Sequence, residues 1–100
     1  MQYELEKLKI KKPEKWDGKW RVIIYDIPQS LRKASDAFRR KIRELGMYQL
    51  QKSIWVYPYD CIKELDFLCV IFQIPLEECV LYFKAEELPR QKEIKHFFSL

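Results

Sequence analysis

Hydrophobic and polar positions change their period several times along the chain, and each change marks a predicted element. Residues 19–26 contain a β-branched and aromatic run that is typical of a strand. Because side chains alternate along a strand, Val22 and Ile24 share one face, and Ile23 and Tyr25 share the other. Apolar residues on both faces predict a central strand that is covered on each side.

A helical period follows this strand. Pro28 ends the strand because it cannot donate to a ladder, and Ser30 is suited to cap the helix that follows. Gly46 is suited to end it. Between them, apolar residues recur at helical spacing and form one stripe, which consists of Leu31, Ala34, Phe38, Ile42 and Leu45.

The second half of the chain predicts two strands, a helix and a last strand. Residues 47–51 and 53–57 are predicted as two strands, or as one strand with a bend at Lys52. Leu50, Ile54 and Val56 are predicted to face inward, and Trp55 and Tyr57 lie on the other face, suited to an interface. Residues 61–73 are a predicted helix that Asp60 caps, with a stripe formed by Ile62, Leu65, Leu68, Cys69 and Phe72. Residues 79–85 are the fourth predicted strand.

This order predicts an α+β, ferredoxin-like βαββαβ fold, a four-stranded antiparallel sheet with two helices on one face. The other face would be open to RNA bases or to a second copy of the sheet. We expect a basic lead-in arm or linker over residues 1–18, the domain over residues 19–88 and a tail over residues 89–100. In the tail, Ile94, Phe97 and Phe98 share one helical face that would pack on the body or on a dimer partner.

Composition restricts the class of protein. One hundred residues, 48% hydrophobic and 15% aromatic, make one small domain with many aromatic rings to bury, which favours dimerisation. No apolar run approaches the roughly 20 residues of a membrane span. Three cysteines without a Cys-x-x-Cys pair, together with one histidine, disfavour a zinc site and favour a reduced, cytoplasmic protein. The cysteines are best interpreted as small buried hydrophobes.

The net charge of +4 is concentrated on the first long helix. Residues 30–46 hold six cations and two carboxylates, an excess equal to that of the whole chain; the cations are Arg32, Lys33, Arg39, Arg40, Lys41 and Arg43. Such a helix predicts contact with DNA phosphates, which would weaken as salt rises. The alternative is an ordinary solvated face, with Asp36 and Arg40 as an i,i+4 pair.

Two stretches carry a resemblance to a known family. The run from Val22 to Pro28, which ends in Tyr-Asp-Ile-Pro, and the run from Gln49 to Val56, which contains Gln-x-Ser, resemble the Cas2 family, the smaller core subunit of CRISPR adaptation. A second resemblance lies in Trp-Asp-Gly-Lys-Trp-Arg at residues 16–21 and in the run from Trp55 to Cys61. These stretches look more like the Cas2-like domain of PaaX-type transcriptional repressors.

The resemblance implies specific roles. Asp26 matches the carboxylate that ends the first strand in the Cas2 family, where one such group from each subunit is thought to hold Mg²⁺ at the dimer axis. From the residues alone, a turn explains Asp26 better than a metal or phosphate site does. Ser53 matches the serine of the Gln-x-Ser motif, near the same end of the sheet. We therefore predict a metal ligand at Asp26 and nucleic-acid contacts from Arg32, Lys33, Arg39, Arg40, Arg43 and Ser53, and we assign no catalytic residue.

The leading hypothesis from the sequence is a Cas2-like homodimer that binds duplex DNA. It would act mainly as a scaffold beside the CRISPR integrase subunit in spacer acquisition, with weakly held Mg²⁺ and an uncertain nuclease activity. The alternative hypothesis is the dimerisation and effector module of a PaaX-type transcriptional repressor. In both families, the resemblance implies a homodimer; in the Cas2 family the sheets of two subunits face each other.

Overall fold

The strand β1 (Trp20–Tyr25) lies in the middle of the sheet, because its apolar residues suit both faces. In the computed structural model, which describes residues 2–100 and the side chains of residues 4–100, β1 pairs antiparallel with two other strands. Around it, the chain folds into α1 (Gln2–Lys7), a 3-10 turn (Gln29–Leu31), α2 (Arg32–Glu44), β2 (Tyr48–Gln51), β3 (Ile54–Tyr57), α3 (Ile62–Phe72), α4 (Leu76–Cys79), β4 (Val80–Ala85) and α5 (Gln91–Phe97).

The sheet has the order β2-β3-β1-β4, and all neighbouring strands are antiparallel. Within each pair the register keeps apolar residues together, as where Ile23 lies opposite Trp55 and Val22 lies opposite Val56. This topology confirms the predicted α+β, ferredoxin-like architecture. Two short elements lie outside the predicted βαββαβ order: the helix α1 in the arm, and the single turn α4, which begins after Pro75 and leads directly into β4.

The larger core lies on the sheet face that α2 and α3 cover, which we call the helix face. Ile23 and Tyr25 of β1 are buried there with Phe38 of α2 and with Leu65 and Leu68 of α3. Edge-to-face packing joins the Tyr25 and Phe38 rings, whose centroids are 5.3 Å apart. Helix α2 buries only Phe38 and Ile42 fully, so its apolar stripe faces the sheet as its spacing predicts.

The prediction that Trp55 and Tyr57 serve an interface is wrong. Both side chains are buried in the core of the helix face. The alternation separates the side chains of β3 into the correct two sets. However, the set that the helices cover is the one with Trp55 and Tyr57, not the one with Val56. The inward set of the prediction, which includes Val56, lies on the opposite face of the sheet.

That opposite face, which we call the tail face, is covered in part by α5. Ile94 of α5 is fully buried against Trp20, Val22 and Val56. The indole N–H of Trp20 donates to the Gln91 side-chain oxygen at 3.3 Å. The tail therefore packs on its own sheet in this chain, and the tail face is not fully open as the sequence predicted.

Two details at the ends of helices correct or confirm the sequence analysis. Ser30 does not cap α2, because it lies inside the preceding 3-10 turn and no side chain caps either element. Gly46 follows α2 with a φ of +95°, the left-handed conformation that glycine adopts without strain. The arm before β1 lies against the domain, since Leu5, Leu8 and Ile10 are partly buried on the core of the helix face.

Candidate functional site

The outer face of α2 is strongly basic. At about 100° per residue, five of its cations fall within about 120° of the helix circumference; they are Arg32, Lys33, Arg39, Arg40 and Arg43. This arc points away from the buried residues Phe38 and Ile42. The structure therefore brings the predicted DNA-contacting cations of α2 onto one exposed surface.

Three cations of this helix have partners. Arg39 pairs with Asp36 at 3.5 Å, whereas the sequence predicted a pair between Asp36 and Arg40. Lys41 pairs with Glu44 at 3.5 Å. The Arg43 guanidinium lies 5.5 Å from the centre of the buried Trp55 ring, a cation–π contact that gives this side chain a packing role.

The remaining three cations, Arg32, Lys33 and Arg40, are exposed, and they pair with no carboxylate in residues 4–100. Unpaired cations on a helix face attract phosphates without competition from neighbouring carboxylates. These three residues are therefore the best candidates on α2 for contact with an anionic polymer.

Asp26 lies just after β1 and is exposed. Its backbone N–H donates to the Cys79 carbonyl at 2.8 Å, so the main chain at this point is fixed to the start of β4. The Ser53 carbonyl accepts a hydrogen bond from the Tyr25 N–H at 3.1 Å, which places Ser53 beside the same end of β1. Asp26 and Ser53 thus lie at the same end of the sheet, where β1 ends and β3 begins, as the resemblance implied. No hydrogen bond between their side chains occurs in the described part of the chain.

The fit of Asp26 to a magnesium site depends on the oxygen donors near it. Mg²⁺ in proteins is commonly held by one or two carboxylates together with water or phosphate oxygens. Over the described residues, no group of three or more His, Cys, Asp or Glu side chains is placed to hold a metal ion. The described residues thus offer no such cluster at Asp26, and its metal role stays a prediction.

An ion pair that the sequence analysis missed lies at the start of β1, at the opposite end of this strand from Asp26. The side chain of Arg21 is only 7% exposed, and both of its terminal nitrogens donate to the Asp17 carboxylate at 2.8 Å. Arg21 also donates to the carbonyls of Lys19 and Pro58, at 2.8 and 2.9 Å. The guanidinium beside Asp17 lowers the pKa of that carboxyl to about 2. The spacing of Asp17 and Arg21 around Gly18 was the available sequence signal.

Next to this pair is a cleft of about 420 Å³ between the N-terminal arm and the end of β3. Lys11 and Lys15 reach it from the arm, and Tyr59 and Asp60 from the segment after β3. Asp60 accepts a hydrogen bond from the Tyr82 hydroxyl at 2.8 Å, which lowers the pKa of Asp60 and keeps it ionised near neutral pH. The cleft therefore combines fixed charges of both signs with an aromatic wall.

An exposed apolar area remains on the tail face beyond α5. Leu81 and Phe83 of β4 lie opposite Ile24 and Val22, so they share the tail face, and they are 61% and 45% exposed. β4 is also an edge strand of the sheet. Long apolar side chains on an edge strand are typical of a surface that associates.

The cysteines agree with their interpretation as buried hydrophobes. Cys61, Cys69 and Cys79 are free and buried. Burial raises the pKa of the Cys61 thiol to about 12 and that of Cys69 to about 11, so neither forms the reactive thiolate at neutral pH.

A comparison with protein families gives one match. A family model described as "PaaX protein central Cas2-like domain" matches residues 13–96, which include all four strands and helices α2, α3 and α4. No curated protein and no solved structure matches the chain significantly. Within residues 2–100, none of the helices is both long enough and apolar enough to cross a membrane.

Proposed function

Because this chain belongs to the family of PaaX central Cas2-like domains, we propose that it is the dimer-forming module of a PaaX-type transcriptional regulator. The family match over residues 13–96 is the observation that carries the proposal. It includes the Trp-Asp-Gly-Lys-Trp-Arg stretch, in which Asp17 pairs with the buried Arg21. The contact between Asp17 and Arg21 therefore explains why these two residue types stand in this stretch.

The proposed dimer surface is the uncovered part of the tail face, which Leu81 and Phe83 of β4 form. A second copy of the chain is its proposed occupant, because a two-fold axis places the same apolar patch on both sides of one interface. The Cas2 resemblance, in which two sheets face each other, supports the same arrangement. Dimerisation through this patch would remove two large apolar side chains from water.

Light scattering on the purified chain, across micromolar concentrations, tests the dimer. We expect a dimer for the wild type and a monomer for Leu81→Lys, because the lysine places a charge in the proposed interface. Val70→Lys is the matched control, since Val70 is an equally exposed apolar residue on α3, at 65% exposure. A monomeric wild type, or a Leu81→Lys variant that stays dimeric, would reject this surface.

A second candidate function is binding of duplex DNA by the basic face of α2. The exposed and unpaired cations Arg32, Lys33 and Arg40 favour it. Each phosphate contact changes the slope of log K against log salt by about 0.9. We therefore expect that neutralising these three residues to Gln lowers the slope by roughly two to three.

The matched control neutralises Lys63, Lys84 and Lys92, three exposed lysines outside α2, so that the net charge falls by the same amount. Fluorescence anisotropy of a labelled duplex, at several salt concentrations, measures both variants. Equal slopes for the two triple variants would mean that α2 has no special role and that any DNA binding follows net charge alone.

Spacer acquisition with a CRISPR integrase subunit is less favoured than the regulatory hypothesis, since the matching family is that of PaaX. Magnesium-dependent cleavage at Asp26 likewise stays a prediction. Its test is Mg²⁺-dependent cleavage by the wild type that is lost in Asp26→Ala. Cleavage that persists in that variant would come from a contaminant.

A further inference from the structure

The N-terminal arm lies against the domain, although its sequence is typical of a linker. Leu5, Leu8 and Ile10 are half-buried on the core of the helix face. Lys9, which lies between two of these apolar residues, is exposed, and so is Lys12. The apolar contacts of the arm therefore hold its lysines at a definite place on the surface of the domain.

Two adjoining clefts connect the arm to the basic face of α2. The first, of about 390 Å³, lies between α1, α2 and α3, and Arg40 is one of its lining residues. The second, of about 380 Å³, lies beside the last turn of α2 and is lined by Lys9 and Lys12. Lys41 and Glu44 line both clefts, so the two are neighbours. The arm thus places Lys9 and Lys12 near the C-terminal end of the helix that carries Arg40.

The charges along these two clefts are positive on balance. Four cations and two carboxylates line them, namely Lys9, Lys12, Arg40 and Lys41, with Glu6 and Glu44. Lys41 and Glu44 pair at 3.5 Å and offset each other. Lys9, Lys12 and Arg40 are exposed, and none of them pairs with a carboxylate in residues 4–100. Three exposed cations therefore stand against one further carboxylate, that of Glu6, and this balance attracts an anionic polymer.

We propose that Lys9 and Lys12 of the arm extend the basic face of α2 into one surface that contacts the phosphates of duplex DNA. The inference rests on the second candidate function, because α2 provides the other cations of this surface. Duplex DNA carries one negative charge per about 1.7 Å of its axis, whereas α2, with 13 residues, is only about 20 Å long. A duplex that lies along α2 therefore presents further phosphates beyond the end of the helix, where the arm lies.

A structural role for the two lysines is the alternative that the test has to separate. Lys9 and Lys12 lie near the last turn of α2, where cations stabilise a helix by interacting with its dipole. Such a role would change the stability of the fold, and DNA binding would respond only to the loss of net charge.

The test measures duplex binding by the full chain, with fluorescence anisotropy at several salt concentrations. Replacing Lys9 and Lys12 by Gln should lower the slope of log K against log salt by roughly 1.8, which corresponds to two phosphate contacts. Replacing Lys63 and Lys92 by Gln is the matched control, because both lysines are exposed and lie outside the arm and α2. Equal slopes for the two double variants would overturn the inference, and so would a change at Lys9 and Lys12 that lowers only the stability in urea unfolding.

A second variant tests whether the arm must be docked. Replacing Leu5 and Leu8 by Gln removes no charge but takes away apolar contacts that hold the arm on the domain. Binding at constant salt should weaken at least roughly fivefold, since the lysines of a free arm must be ordered on the DNA and fixing a single residue costs about this factor. Unchanged affinity would reject a docked surface.

Failure of this inference and failure of the second candidate function give different results. If the slope falls when Arg32, Lys33 and Arg40 are neutralised but not when Lys9 and Lys12 are, α2 binds DNA and the arm does not. If the chain does not bind the duplex even at low salt, both the second candidate function and the role of the arm are overturned.

Discussion

The two faces of the sheet differ in how completely they are covered. On the helix face, α2 and α3 bury Ile23, Trp55 and Leu65 to below 2% exposure. On the tail face, Ile94 is equally buried, but Leu81 and Phe83 on the neighbouring strand remain exposed. The helix face therefore provides most of the stability of the fold, whereas the tail face has apolar surface left for another molecule.

The difference in coverage follows from the order of the helices and strands along the chain. Two long helices, α2 and α3, are each inserted between strands, so the sheet cannot form without placing them on one face. The tail face receives only α5, seven residues near the end of the chain, which is too short to cover four strands. Because α5 takes no part in strand pairing, it can leave the sheet without breaking the strand ladders.

The largest predicted effect is at Ile23, on the helix face. Ile23→Ala should lower the free energy of unfolding by about 3–5 kcal/mol, because it removes a fully buried side chain and leaves a cavity between sheet and helices. Urea unfolding followed by circular dichroism measures this loss. A loss below about 1 kcal/mol would mean that the helix face repacks easily and does not dominate the stability of the fold.

The equivalent change on the tail face is Ile94→Ala. We expect a loss of about 2 kcal/mol, at the low end of the range for such changes, because α5 can detach locally instead of unfolding the domain. Hydrogen exchange should show amides of α5 exchanging much faster while those of β1 keep their protection. Equal acceleration in β1 and α5 would show that the two faces unfold as one unit.

Sequence periodicity predicted the helix face well and the tail face poorly. The stripe of Phe38 and Ile42 can belong only to a helix with one buried side, so its orientation follows directly from spacing. Alternation in a strand separates two sets of residues without telling which set the helices cover. This is why Trp55 and Tyr57 were assigned to the wrong face, since only the path of the chain after β3 decides it.

The candidate sites also differ in how well the sequence predicts them: a site on one helix is predicted, and a site built from distant segments is not. The cations of α2 were found from the sequence because they are adjacent on one helix. The cleft at Arg21 was missed, because it joins the arm, β1 and the segment after β3, which are far apart in the sequence. Polar contacts at the start of α5, such as that of Arg90, just before the helix, with the Leu50 carbonyl at 2.7 Å, likewise depend on long-range folding.

A smaller effect concerns the ion pair at the edge of the helix face. The folded-state pKa of Asp17, about 2, lies below its ordinary value of 3.8, so the folded protein binds a proton less readily than the unfolded chain. The stabilisation is therefore present above about pH 4 and is lost as the pH falls through 2. After discounting for the 46% exposure of Asp17, we expect a loss of about 1 kcal/mol.

Asp17→Asn isolates this contribution. The variant should be less stable than the wild type at pH 7, and the gap should narrow between pH 4 and pH 2 in urea unfolding. Asp60, whose pKa is also lowered, titrates in both proteins and cancels in the difference. A gap that stays constant with pH would mean that the Asp17 charge contributes nothing beyond its hydrogen bonds.

The smallest predicted effect is at Tyr48 on the tail face, whose hydroxyl donates a hydrogen bond to the Glu93 carboxylate of α5. That carboxylate raises the pKa of Tyr48, so the folded state holds the proton more tightly and the contact is lost as the pH rises above 10. Tyr48→Phe should speed amide exchange in α5 less than Ile94→Ala does, because this contact is exposed while Ile94 is fully buried. The variant should also remove the acceleration that the wild type shows above pH 10, once the intrinsic pH dependence of exchange is subtracted. If α5 in the variant kept the wild-type response to alkali, the Tyr48–Glu93 contact would not hold the tail, and apolar burial alone would fix α5 on this face.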